Sequence, residues 1–422
     1  MNSFLNKLKT LFTDRSLRNR VLFLIGALFI FRLLASVPVP GVDTLRINQF
    51  LEGNQFFGVF NALSGGGLSS FSIIMLGIGP YITASIIMQL LSMMAPRLKE
   101  LMQESGEAGR KKFNQYVRLL TVPLAVLQAF SFIKYLQSQG AIDALSLNAL
   151  ITNIIIIVGG SMLLLWIGEL INEFGVGSGV SILIMAGILA TMPSKVAQFF
   201  FTFTVDQIPL LLLYIAIAIL VIAGIIYIYE AERPVPVTYA RAVRGIRVLN
   251  GNSTYLPLRL AQAGVMPIIF ASSLLLFPQF LVGVFANSSR AILQSIGSGL
   301  QYFLSHQALY SSVYFLLVVF FTYFYTAVTF DPKQIATNLQ KNGAFVPGIR
   351  PGDATTNYIS TIVTRITLVG SVFLGAVAVL PHIIQSATGI TSFAIGGTSL
   401  LIVVSVLIDL IRKVDAQISL HE

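Results

Sequence analysis

The side chains best suited to chemistry in this sequence are few and badly spaced for it. Its three histidines, His306, His382 and His421, read as lying in loops or at the terminus, far from one another. No His-Glu-x-x-His pair or other metal-ligand spacing results. The absence of cysteine removes disulfides, thiolate metal sites and a cysteine nucleophile together. The glycine cluster Gly175–Gly179 follows an apolar run instead of a strand, and no Lys-Ser/Thr completes a phosphate loop, so it reads as a turn. Carboxylates stand at the ends of apolar runs (Glu169, Glu173, Glu230, Asp409) or between them, and Arg32 is the ionisable group closest to a run interior. Ion-coupled transport usually needs an acidic residue deep inside a span. These residues predict no enzyme, no cofactor and no metal site; anything the chain moves is driven from outside it.

The elements around these residues are membrane helices. Of 422 residues, 55% are hydrophobic and only 10% charged, with mean hydropathy +0.82, whereas a soluble domain carries about 25% charged residues. A helix needs about 20 apolar residues to cross the hydrocarbon core. Ten runs qualify: 21–37, 72–95, 117–136, 149–171, 179–201, 208–230, 257–284, 309–330, 362–384 and 395–411. Residues 1–20 read as a basic amphipathic helix at the interface and 414–422 as a short tail. The run after residue 20 reaches Pro38 with no small-residue cleavage site, so it reads as a retained span instead of a signal peptide.

Most of the net charge of +10 lies on one side. Lys7, Lys9, Arg15, Arg18 and Arg20 precede the first run, and Arg97, Lys99, Arg110, Lys111, Lys112 and Arg118 follow the second. Arg233, Arg241, Arg244 and Arg247 follow the sixth, Lys333, Lys341 and Arg350 the eighth, and Arg412 and Lys413 the tenth. The opposite loops carry only Arg46, Lys134, Lys195 and Arg290. The positive-inside rule puts both termini in the cytoplasm, as an even number of spans demands. Two cytoplasmic loops, 231–256 and 331–361, exceed what a turn needs, and their basic residues suit an anionic surface such as ribosomal RNA or an acidic protein face.

The segment Ser64–Leu91 (SGGGLSSFSIIMLGIGPYITASIIMQLL) begins too polar and too rich in glycine to face lipid, then runs into an apolar helix. Irregular backbone at membrane depth survives only where protein or water covers it, so the segment predicts an internal cavity and a conduit.

Six runs in order carry a resemblance: PVPG (38–41), the segment 64–91, ESGEAGRKKFNQY (104–116), YLPLRLAQAGVMPIIFASS (255–273), NLQKNGAFVPGIRPG (338–352) and GGTSLLIVVSVLID (396–409). Together they resemble the SecY family, the pore-forming subunits of the bacterial Sec protein translocon, over nearly the whole chain. The resemblance implies an all-α membrane protein of ten transmembrane helices, in two pseudo-symmetric five-helix halves (21–201 and 202–413) around an hourglass pore. Its implied role is to pass unfolded preproteins across the membrane and to release transmembrane segments sideways into lipid.

Site residues follow from the resemblance position by position. A pore ring falls on Ile78 and Ile82 in the second span, Val180 and Ile184 in the fifth, Ile269 in the seventh and Ile402 in the tenth. Each pair four apart shares a helix face, and an aliphatic constriction resists ions by dewetting. A plug, expected as a short helix hinged on glycines, falls on Ala62, Leu63, Ser64, Gly65, Gly66, Gly67, Leu68, Ser69, Ser70 and Phe71. A lateral gate is implied between the second and third spans on one side and the seventh and eighth on the other, with a polar cluster of Thr83, Gln128 and Gln262. Here the family's usual Asn is replaced by Ala261, and Gln262 stands about 100° round an ideal helix from it, which predicts a weakened or rearranged cluster. Docking of the ATPase SecA or the ribosome falls on Arg241, Arg244, Arg247, Lys341 and Arg350, with Ile246–Arg247 where a tandem Arg pair is usual. SecE, SecG, SecA, the ribosome, signal sequences, nascent or unfolded polypeptide and membrane lipid are the implied partners, DNA is not among them, and the bacterial cell membrane is the implied location. A small-solute transporter would instead require a polar midplane site, and a non-conducting scaffold would not leak on loss of the plug.

Overall fold

The computed structural model describes residues 14–40, 42, 46–47, 61, 64–103, 106–143, 145–202, 208–239, 243–244, 247–248, 253–285, 291–388 and 397–421. Thirteen helices and five short strands occupy them. Helix α1 (Arg15–Ala35) is capped by Asp14, whose carboxylate accepts from the Ser16 amide at 2.9 Å. It is continuous from Arg15, so residues 15–20 are the opening turns of the first span, and residues 1–13 lie outside the described set. There follow α2 (Gly79–Met94), α3 (Pro96–Gln103), α4 (Gly106–Ser138), α5 (Leu147–Phe174), α6 (Gly179–Thr202) and α7 (Ile208–Glu230). Strands β1 (Glu232–Tyr239), β2 (Val243–Arg244), β3 (Arg247–Val248) and β4 (Ser253–Arg259) come next. Then come α8 (Met266–Phe285), α9 (Ala291–Ser305), α10 (Gln307–Thr329), α11 (Pro332–Lys341), β5 (Ala344–Phe345), α12 (Asp353–Thr388) and α13 (Gly397–His421).

By length and composition α4, α5, α7, α10 and α12 can cross a bilayer, while α2 and the opening parts of α6 and α8 are shorter apolar helices. With α1 and α13 they stand at the ten predicted places. Two spans become helical later than the sequence reading has them, while α1, α4, α12 and α13 run beyond theirs, α13 through the predicted tail as far as His421. The second span is helical only from Gly79, leaving 16 residues, or about 24 Å, and its predicted first part, 72–78, is a run of turns. The seventh becomes helical only at Met266, because 257–259 is drawn into β4 and 260–265 forms turns, with Gly264 at φ +59°. His382 lies within α12, not in a loop. Helices α3, α9 and α11 fall in regions the sequence reading left between spans.

One large apolar cluster occupies the centre, joining side chains from α1, α2, α5, α6, α7, α8, α10, α12 and α13. A second packs Leu68, Phe71, Met75 and Leu76 against Phe132, Ile133 and Leu136 of α4 and Ile157 of α5. A third is built from the two long loops predicted to be cytoplasmic and the residues that flank them. Strand β1 pairs antiparallel with β4, and its end pairs with β5 (Thr238↔Phe345, Tyr239↔Ala344), giving the order β4-β1-β5. Val235 and Val237 alternate inward, and Val235, Leu258, Val346, Ile359 and Val363 close a small core. The predicted docking loops therefore form a single platform.

Candidate channel, seal and gate

Residues 64–78 form irregular backbone between α1 and α2, and hydrogen bonds hold them. Gly65, Gly66 and Gly77 take φ of +71°, +82° and +55°, which glycine reaches without steric cost. Two successive left-handed residues cannot belong to a right-handed helix, so the described part of the predicted plug, Ser64–Phe71, is a ladder of turns and not a helix. Ala62 and Leu63 lie outside the described residues. Within the ladder the Ser72 amide donates to the Gly67 carbonyl at 2.8 Å and the Ser69 amide to Asn61 Oδ1 at 2.9 Å. The end of α1 and the residues after it bind the ladder from one side. Ser70 Oγ donates to the Ala35 carbonyl (2.8 Å), the Val39 amide to Phe71 O (2.9 Å) and the Ile73 amide to Val37 O (3.0 Å). Gly160 of α5 closes the other side, where a Cβ would collide with the Ile73 carbonyl. Leu68, Phe71, Ile74 and Met75 are fully buried.

From the end of this ladder onward, the six residues assigned to the ring all belong to or pack on the large apolar cluster. Ile78 and Ile82 of the second span, Ile184 of α6, Ile269 of α8 and Ile402 of α13 are buried there, and the half-buried Val180 packs against them. Four separate elements thus contribute aliphatic side chains to one cluster, which no single helix pattern reveals. Ile74, from the turn ladder itself, joins the same cluster. Gly179 seats α6 directly on the Gly168 carbonyl of α5, and its amide donates to Asn172 Oδ1 at 2.7 Å. The glycine cluster is therefore a close-packed turn between two spans.

At the predicted gate, α8 packs against both α2 and α4, and α10 backs α8. Gln128 Nε2 donates to Thr83 Oγ1 at 3.3 Å, and Thr83 donates to Gly79 O at 3.0 Å. Both residues stand on the same side of the seam, and neither bonds to α8 or α10. Gln262 does not join them: it lies in the turns before α8, in a cleft with Pro257, Arg259, Thr329 and Phe330, and its Oε1 is buried without a partner among the described residues. The helical geometry used to relate Ala261 to Gln262 does not apply there, since β4 and the turn at Gly264 replace that part of the helix. Apolar side chains meet at the seam, with Ile82, Ile86, Ile268, Ile269 and Phe270 in the central cluster. Ser272 Oγ and Tyr314 Oη lie 3.0 Å apart and link α8 to α10, a contact with no sequence signal beyond two polar residues in apolar runs. Arg118 and Glu169 pair at 2.7 Å between α4 and α5, which their separation of 51 positions conceals.

On the platform Lys341 ends α11 and Arg350 is exposed, its carbonyl accepting from Thr355 Oγ1 at 2.9 Å. Arg244 and Arg247 are backbone partners in the β2–β3 pairing; Arg241 lies outside the described residues.

These features define a class: a multi-pass helical membrane protein with an irregular, protein-covered segment above an aliphatic centre. The structure of a protein conducting channel superposes on it with a TM-score of 0.65 over 96% of this chain and 93% of that one, at 20% identity. Sec61 in the canine ribosome-channel complex does so at 0.61 over 96% and 93%, at 18% identity. The fold is that of these channels, and ten spans fit it. The family model described as SecY matches residues 72–411, and the chain belongs to the SecY family. It is 42% identical over 415 residues to the protein translocase subunit SecY of Thermus thermophilus, covering 96% of this chain and 93% of that protein. With the Haemophilus influenzae subunit of the same name it shares 40% identity over 414 residues, or 95% and 92% of the two chains.

Proposed function

We propose that the chain is the passive protein-conducting pore of a Sec translocase, passing unfolded preproteins across the bacterial cell membrane and transmembrane segments sideways into lipid. One observation carries the reading: a hydrogen-bonded segment too irregular for lipid leads into a large apolar cluster to which α2, α6, α8 and α13 all contribute aliphatic side chains. Ile78, Ile82, Val180, Ile184, Ile269 and Ile402 form the waist, which offers a chain in transit a gasket indifferent to its sequence. Residues 62–71 are the plug, and the seam between α2 with α4 and α8 with α10 is the gate for signal sequences. Residues 21–201 and 202–413 are the two halves, and both termini are cytoplasmic.

The chain performs no reaction itself. ATP hydrolysis by SecA or chain synthesis by the ribosome supplies the work, through the platform bearing Arg241, Arg244, Arg247, Lys341 and Arg350. A ribosome-bound canine relative by fold supports that docking. SecE holds the halves together and SecG completes the complex. Reconstituted with SecE and SecA in proteoliposomes, the chain is expected to import an unfolded preprotein only when ATP is present. No import with demonstrably active partners would overturn the reading.

A further inference from the structure

An arginine inside the hydrocarbon is costly and needs a partner. Arg32 lies in the outer part of α1, five residues before Val37, or about 7.5 Å below the end of the predicted span. The positive-inside rule gives no reason for a cation at this end. Among the described residues no carboxylate pairs with it. Its Nη1 donates instead to the Gly65 carbonyl, at 2.8 Å across 33 residues of sequence.

The receiving carbonyl belongs to the first of the two left-handed glycines, φ +71° and +82°. Its direction therefore depends on a backbone state that other residues rarely adopt. Phe31, next to Arg32 on α1, lies against the same glycine so closely that a Cβ on Gly65 would overlap its ring. A Cβ on Gly66 would stand 3.7 Å from Arg32 Nη1. Two consecutive α1 side chains thus hold the two glycines, one by shape and one by a charge-assisted bond. Turning the Gly65 peptide, or swinging 64–71 away, breaks that bond.

We infer that Arg32 is a gating residue, a positioning group that holds the plug shut through the Gly65 carbonyl and sets how readily the channel opens. This rests on the reading of 62–71 as the plug. The guanidinium fork can keep its planar geometry on a carbonyl where an ammonium offers only a point charge, so Lys replaces it incompletely.

The test uses the chain in its reconstituted complex, reading ion leak through planar bilayers and export of a preprotein with a defective signal sequence. Arg32→Gln is expected to raise resting leak about tenfold, the scale of one lost charge-assisted hydrogen bond, and to relax signal stringency. Arg32→Lys, which keeps the charge needed for membrane placement, gives about a threefold rise and carries the test if Arg32→Gln fails to assemble. Deleting 62–71 supplies the control. It should leak in either Arg32 background, with Arg32→Gln adding nothing further. A tight deletion variant would overturn the plug reading itself. A leaking deletion variant beside Arg32 variants as tight as the unmodified complex would overturn the latch alone.

Discussion

The segment proposed as the plug and the seam proposed as the gate are held by different chemistry. Residues 64–73 are bound to α1 and the segment after it by backbone and hydroxyl hydrogen bonds, while Ile82, Ile86, Ile268, Ile269 and Phe270 meet where α8 packs on α2 and α4. The predicted polar cluster is reduced to Gln128–Thr83, within one wall. The contrast follows from what lies beyond each barrier. Lipid tails are as apolar as leucine, so a seam opened toward lipid forfeits packing but no hydrophobic burial. A seal facing water can exchange its hydrogen bonds for solvent, yet in a protected site each is directional and lost all at once. The seal is thus suited to a two-position element and the seam to gradual parting.

Breaking the support of the seal should have the largest effect. Gly160→Leu drives a side chain into the Ile73 carbonyl, and a loss of about 4 kcal/mol or more is expected, seen as failure of the detergent-purified complex to survive a thermal ramp. Next comes the aliphatic centre. Ile184→Asn puts an amide without partners where a 1%-exposed isoleucine sat, costing about 2–3 kcal/mol and raising resting ion leak by wetting the waist. An unchanged leak would place Ile184 in ordinary packing. The smallest effect is expected at the seam: Gln128→Ala loses one neutral bond, about 1 kcal/mol or less, with signal-sequence stringency unaltered. A large change in stringency would mean that this residue bridges the walls in the working complex, and the contrast drawn above would fall.

The sequence made some of this legible and hid the rest for identifiable reasons. Ten spans were readable because 17 or more apolar residues in a row leave little else for a chain to be. The assignment of Ile78, Ile184, Ile269 and Ile402 to one ring came only through family resemblance, since isoleucine on an apolar helix carries no signal of its own. Residues 72–78 were misread as helix because hydropathy cannot register the backbone turns at Gly65, Gly66 and Gly77. The platform was hidden because β1 and β5 are about a hundred residues apart and β5 is two residues long. For Gln262, the error lay in extending a helix through 257–265, which the end of β4 and the turns after it occupy.

Because the chain has no cysteine, single cysteines can report on the path of a polypeptide without background. The most direct test stalls a preprotein carrying one cysteine midway through transport by the reconstituted complex. Disulfide formation is then compared at Ile82→Cys, Ile402→Cys and the lipid-facing control Leu220→Cys, whose parent leucine is 72% exposed on α7. Crosslinks at Ile82 and Ile402 with none at Leu220 are predicted. Crosslinks absent from both waist positions, or equally strong at Leu220, would contradict a channel through the aliphatic centre.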